Sequence, residues 1–128
     1  MNIPTDLRYS SDHEWIRRES GGDVVTIGIT DYAQDALGDV VFVEAPDVGL
    51  PVAASETFTE VESTKSVSDV YAPVTGTITS INERLENEPE LLNSDPYGDG
   101  WICTIEMSVP SEYEELLDAG GYEQLTEG

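Results

Sequence analysis

Lys65 is the only lysine among 128 residues, and the other four cationic side chains are arginines. It stands in the middle of a run rich in β-branched residues, Thr57 to Tyr71, reading TFTEVESTKSVSDVY. Guanidinium supplies positive charge as well as ammonium does, but it does not readily accept an acyl group in amide linkage. A chain that keeps one ε-amine and uses arginine elsewhere needs that amine as an amine, and post-translational acylation is its natural chemistry. A Schiff-base nucleophile would need an apolar pocket or a neighbouring cation. Ser63, Thr64, Ser66 and Ser68, with Glu62 and Asp69, supply neither. The plain alternative is a solvated surface lysine, and the absence of any other lysine weighs against it.

Other residue types of chemical interest lead to packing. Cys103 is the only cysteine and sits in the apolar run Trp101 to Ile105, which marks a buried structural thiol and leaves no internal disulfide. His13 is the lone imidazole, so neither a metal cluster nor a Ser-His-Asp set can be argued around it. Gly21, Gly22 and Gly76 punctuate turns, and no glycine-rich run opens a helix or ends in lysine as a phosphate loop requires. Trp15 and Trp101 read as core anchors.

The elements that must hold the amine are short strands. His13 to Arg18 and Val24 to Ile29 form a hairpin across Glu19 to Asp23. Thr30 caps a helix through Leu37, closed by Gly38. Val40 to Ala45 is a continuous apolar strand stopped by Pro46. Thr57 to Val61 and Val67 to Tyr71 alternate, which puts Glu62 to Ser66 at the tip between antiparallel strands. Thr77 to Ile81 and Trp101 to Met107 are further strands, with a helical turn at Pro89 to Asn93. Ser111 and Glu114 match a capping box for a helix carrying Leu116 and Leu117 and ended by Gly120-Gly121, with a further turn at Tyr122 to Leu125. The pattern is all-β: a sandwich or flattened barrel with a helical tail, and no repeat or linker.

Acidic residues outnumber basic ones 27 to 5, a net charge of −22. They are spread through alternating apolar segments, and 38% of residues are hydrophobic, so the chain folds rather than remaining disordered. Self-repulsion at that charge is relieved in roughly 1 M salt, where the screening length falls to about 3 Å. A salt-rich, halophilic cytoplasm is the inferred setting. Acidic surfaces argue against nucleic acid or an anionic membrane as partner. The N-terminus has no apolar signal core, and no run approaches the roughly 18 apolar residues of a membrane span.

The segment Val61-Glu62-Ser63-Thr64-Lys65-Ser66-Val67-Ser68-Asp69-Val70-Tyr71-Ala72-Pro73 resembles the lipoyl-attachment segment of the glycine cleavage system H proteins. His13-Glu14-Trp15, Ile27 to Asp31, Ala33-Gln34, Leu37 to Glu44 and Pro46 to Gly49 follow that family's order, as do Gly76, Asn82, Pro89 to Asn93, Asp95-Pro96-Tyr97 and Gly100-Trp101. The similarity runs from about Leu7 to the C-terminal helix. It implies a lipoyl/biotinyl-type barrel-sandwich hybrid of two antiparallel sheets, one lipoyl-carrier domain over 1–128 with a β body at about 7–109 and a helical extension at 110–128.

The resemblance also implies lipoate bound covalently to Lys65, shuttling between three enzymes and catalysing none of their reactions. A pyridoxal-phosphate glycine decarboxylase loads the aminomethyl group, a folate-dependent aminomethyltransferase takes it, and the FAD enzyme dihydrolipoamide dehydrogenase reoxidises the dithiol. A lipoylating enzyme attaches the group, and the mature charge becomes −22 − 1 = −23. In the family the loaded arm folds into a cleft, and positions matching Glu14 and Asp69 would hold its ammonium there. A monomer is expected, since transient docking to several enzymes favours an unobstructed tip. Biotin carriers share the fold but flank their lysine with methionines, where this sequence has Thr64 and Ser66. A 2-oxo acid dehydrogenase lipoyl domain would continue into a linker. A lipoate relay protein, donating its group to other carriers, remains the alternative within the same fold.

Overall fold

The computed structural model describes residues 2–18 and 22–127, so most of the turn expected at 19–23 lies outside the described residues. Six strands make one antiparallel sheet: Arg8–Tyr9 (β1), Glu14–Arg18 (β2), Val24–Ile29 (β3), Pro51–Val52 (β5), Gly76–Ile81 (β8) and Cys103–Met107 (β9), in the order β1-β2-β3-β9-β8-β5. Val40–Val43 (β4), Thr57–Ser63 (β6) and Val67–Tyr71 (β7) make the second, in the order β4-β6-β7. Inward side chains such as Val25, Ile27, Ile78 and Ile105 of the larger sheet meet Val43, Val61 and Val70 of the smaller in one apolar core. This is the expected all-β hybrid of two antiparallel sheets.

The helix Asp31–Leu37 (α1) forms as its punctuation requires. Thr30 accepts a hydrogen bond from the Ala33 N–H through its side chain, and the Gly38 N–H closes on the Gln34 carbonyl. Gly38 takes φ 82 and ψ −158, backbone open essentially to glycine alone. Asn93, at the helical turn Leu91–Ser94 (α2), ties the end of α1 to β4: its side-chain oxygen accepts from the Val40 N–H at 2.9 Å and its amide donates to the Gly38 carbonyl at 2.8 Å.

Strand β4 departs from a fully buried run. Its pairing with β6 shifts between Val40 and Phe42, a bulge that sets two residues against one. Val40 and Val43 face the core, while Val41 and Phe42 both point to solvent. The C-terminal segment differs too. Helix Ser111–Glu114 (α3) stops after four residues with no side-chain cap, and Glu112 instead binds the Thr75 N–H and hydroxyl at 2.6 and 2.9 Å. Leu117 then bridges to Tyr9, and Gly120-Gly121 lie inside the longer helix Ala119–Glu127 (α4) rather than ending one. Asp118 caps that helix by accepting from the Gly121 N–H at 2.8 Å, and Tyr122 is fully buried with Leu7, Tyr9 and Trp15.

Candidate functional site

Strands β6 and β7 are joined by only Thr64, Lys65 and Ser66, and one hydroxyl organises that tip. Ser63 is buried, and its Oγ accepts from the Lys65 and Ser66 N–H groups, each at 3.2 Å. The Ser63 N–H in turn donates to the Ser66 carbonyl at 2.8 Å, and the Thr64 N–H donates to the Asp39 carbonyl at 3.0 Å, pinning the tip to the start of β4. The backbone of the tip is thereby held while the Lys65 side chain stays exposed. That side chain passes over Gly38, where an added Cβ would lie 3.1 Å from Lys65 Cε and 3.7 Å from Nζ. Gly38 therefore serves twice, as the left-handed stop of α1 and as clearance for the lysine.

The remaining cations are fixed elsewhere. Arg8 donates to the Leu116 carbonyl, Arg17 lies over the Trp15 ring and donates to the Tyr97 carbonyl, Arg18 lies over Tyr113, and Arg84 pairs with Glu88. Among the described residues Lys65 has no ion pair. Each arginine is thus engaged, Arg84 through exposed pairs, while the one amine, among those residues, has no ion pair.

A cleft of about 280 Å³ opens between α1 and β7. Ala33, Ala36 and Leu37 form one wall, and Ser68, Asp69 and Val70 form the other. Glu14 lies at its base with Asp12 and His13 beside it, so the cleft brings Glu14 and Asp69 to one place. Leu37 borders Gly38, over which the lysine lies, and Asp69 follows Lys65 by four residues, about 13 Å along a strand.

Glu14 is 2% exposed. Burial pushes its carboxyl up from the usual 4.5 to about 7; the Ser10 hydroxyl, donating to Oε1 at 2.5 Å, works against that rise. The folded protein holds this proton more tightly than the unfolded chain. The associated stability is therefore complete below about pH 4.5 and lost as pH rises through about 7, a difference of about 3 kcal/mol. Glu14→Gln should match the wild type at pH 4 and exceed it by up to about that amount at pH 8, as read by denaturant unfolding at the two pH values.

His13 takes φ 70, a left-handed backbone uncommon outside glycine. Its ring stacks on Tyr32 with centroids 4.7 Å apart, and its Nδ1 lies 2.8 Å from the Tyr122 hydroxyl, which also bonds Thr30 Oγ1 at 2.7 Å. Burial lowers the basicity of the ring. Of the packing or surface role open to the lone imidazole, the structure shows a half-buried ring packed against Tyr32 and Tyr122, next to Glu14 in the cleft lining. The sequence marks Thr30 only as a helix cap, Ser63 only as a polar neighbour of Lys65 and Tyr122 only as the start of a turn, and it gives no sign of Ser10; a serine four residues before an acid carries no signal until the chain folds back on itself. Cys103 is fully buried and its thiol is pushed up to about 12, in keeping with a structural role.

The site is thus one exposed amine on a braced hairpin of the smaller of two antiparallel sheets, beside a cleft that holds a buried acid. The glycine cleavage H-protein family matches residues 7–128. The chain is 57% identical over 125 residues to the glycine cleavage system H protein of Mycobacterium avium, covering 94% of each. It is 55% identical over 127 residues to the probable glycine cleavage system H protein of Haloarcula marismortui, covering 99% of this chain and 98% of that one. The crystal structure of a glycine cleavage system H protein from Mycobacterium marinum superposes with a TM-score of 0.88 at 42% identity, covering 98% of this chain and 100% of the other. The chain belongs to the glycine cleavage H-protein family, a family of carriers in that system.

Proposed function

We propose that Lys65 carries lipoate in amide linkage on Nζ, and that the protein shuttles an aminomethyl group and electrons among the glycine cleavage enzymes. The observation that carries the reading is the single lysine, exposed on a three-residue tip whose backbone is tied by Ser63 and whose side chain has clearance over Gly38. When bound, lipoate supplies a disulfide that opens to accept the one-carbon unit on one sulfur and is later re-formed by oxidation. The partners are the pyridoxal-phosphate decarboxylase, the folate-dependent aminomethyltransferase, the FAD-dependent dihydrolipoamide dehydrogenase and a lipoylating enzyme. The chain serves each of them as substrate.

In this reading residues 1–128 act as one carrier domain, monomeric, in a salt-rich cytoplasm. Among the described residues no helix is long and apolar enough to cross a membrane. The extension at 110–128 belongs to the carrier because Leu117 bridges Tyr9 and Tyr122 reaches His13 at the cleft. Intact mass and peptide mapping of protein from its native host test the attachment: a lipoyl group is expected on the peptide holding residue 65, and a bare amine or a biotin there refutes the assignment.

Glu14, with Asp69 at the rim, is assigned the task of holding the loaded arm's ammonium. A buried carboxylate forms a charge-assisted hydrogen bond with such a cation where water has poor access. Replacing Glu14 with alanine should raise the hydrolysis rate of the loaded arm by about tenfold or more when the aminomethyltransferase is absent, in line with one lost charged hydrogen bond. An unchanged rate removes Glu14 from the assignment.

A further inference from the structure

The bulge in β4 has placed two consecutive large apolar side chains on the outer face of the three-stranded sheet. Val41 is 52% exposed and Phe42 53%. Pairing continues the row across the sheet: Phe42 lies opposite Glu62, and Glu62 opposite Val67, itself 57% exposed and two residues beyond Lys65. Scattered single apolar residues are ordinary on a surface, but a cross-strand set next to the reactive tip of a chain this acidic is not. Phe42 also borders an apolar cavity of about 280 Å³ with Val43, Pro46 and Leu85, which extends the same patch over the sheet edge.

The next row on that face is acidic. The Glu44 N–H bonds the Glu60 carbonyl, Glu60 pairs with Asp69, and all three side chains are exposed. Like charges side by side across strands repel one another. Glu62 itself stands within the row, between Phe42 and Val67, and the three acids lie beside it, so this face is apolar and acidic together. The complementary surface is an apolar hollow rimmed by arginine or lysine.

We propose that this outer face, centred on Phe42 and Val67, is where the enzyme that loads the arm, the glycine decarboxylase, docks through such a basic-rimmed hollow. The proposal rests on the carrier reading above. Neither Phe42 nor Val67 lines the cleft, so an enzyme seated on them reaches the tip and leaves the newly loaded arm free to swing under α1. An enzyme seated over α1 would block that path at the moment of loading.

The test uses the full chain and the decarboxylase. In the lipoylated protein, Phe42→Ser combined with Val67→Ser should raise the KM for the carrier by about thirtyfold with kcat unchanged, the size expected for losing anchor residues at the centre of an interface. Val109→Ser, at an exposed valine before α3, should leave both constants alone. Docking is then separated from arm chemistry with Lys65→Arg, which should inhibit the wild-type carrier competitively. Adding Phe42→Ser and Val67→Ser, or Glu60→Lys and Glu62→Lys, should weaken that inhibition by a similar factor. If Lys65→Arg supports glycine decarboxylation as carrier, the carrier reading falls. If it is inert as a carrier but fails to inhibit, or inhibits equally well with either pair of changes, the docking face is wrong and the carrier reading stands.

Discussion

Lys65→Arg should abolish lipoylation and glycine oxidation in a reconstituted system while leaving the fold intact. The side chain is exposed and makes no ion pair among the described residues, so exchanging one long cation for another should shift stability by no more than about 0.5 kcal/mol. The tip is built by Ser63 and by backbone groups, none of which the exchange touches. What changes is the nucleophile. Guanidinium stays protonated and delocalised at any accessible pH and does not form the amide. Loss of activity should therefore be complete rather than graded, because no second lysine is present to substitute. The measurement pairs mass spectrometry of the variant, expected to carry no lipoyl group, with a thermal melt expected to overlay the wild type. Persisting turnover would falsify the assignment of the attachment site.

Gly76→Ala should act at the opposite extreme, on the fold with no direct effect on chemistry. Gly76 sits at the start of β8, paired with Val52 on one side and Met107 on the other. A Cβ there would stand 2.0 Å from the Glu106 carbonyl oxygen and 2.8 Å from its carbon. Those atoms are backbone in a hydrogen-bonded ladder, so relief requires separating β8 from β9 in the larger sheet. The expected loss is more than about 4 kcal/mol, within reach of the whole stability of a domain this size. Denaturant unfolding in high salt should show either a midpoint shift of that size or no cooperative transition. Gly28 is also tight: its added Cβ would meet the Trp15 ring at 2.6 Å, and that ring is fully buried with its Nε1 donating to the Pro96 carbonyl.

The tip and α1 were legible in the sequence because local chemistry decides them. Threonine before the helix, glycine after it, and β-branched alternation on both sides of Lys65 act over a few residues each. Strands β1 and β5 are two residues long, too short for any periodicity to register, and they exist only because β2 and β8 offer edges to pair with. The run Val40 to Ala45 misled for a related reason. Continuous apolar sequence signals burial on both faces, yet the bulge turns Val41 and Phe42 outward, and only register against β6 reveals it. At the C-terminus, Gly120-Gly121 carry a stop signal that is overruled by the Asp118 cap and by burying Tyr122, stacked 4.7 Å from Tyr9. The cleft was legible least of all, for its parts come from β2, the turn before it, the end of β3, α1 and β7.

The half-ionised carboxyl at the base of the cleft has a consequence for arm movement. Near neutral pH, Glu14 holds a proton part of the time, because burial without a counter-ion disfavours its charge. On the role proposed for Glu14, an incoming ammonium would supply that counter-ion and the carboxyl would release its proton as the cation arrives, so that seating the arm would trade a cation for a proton. The arm should be gripped more firmly in alkaline buffer and let go more readily in acid, and the heat of seating should vary with the ionisation enthalpy of the buffer.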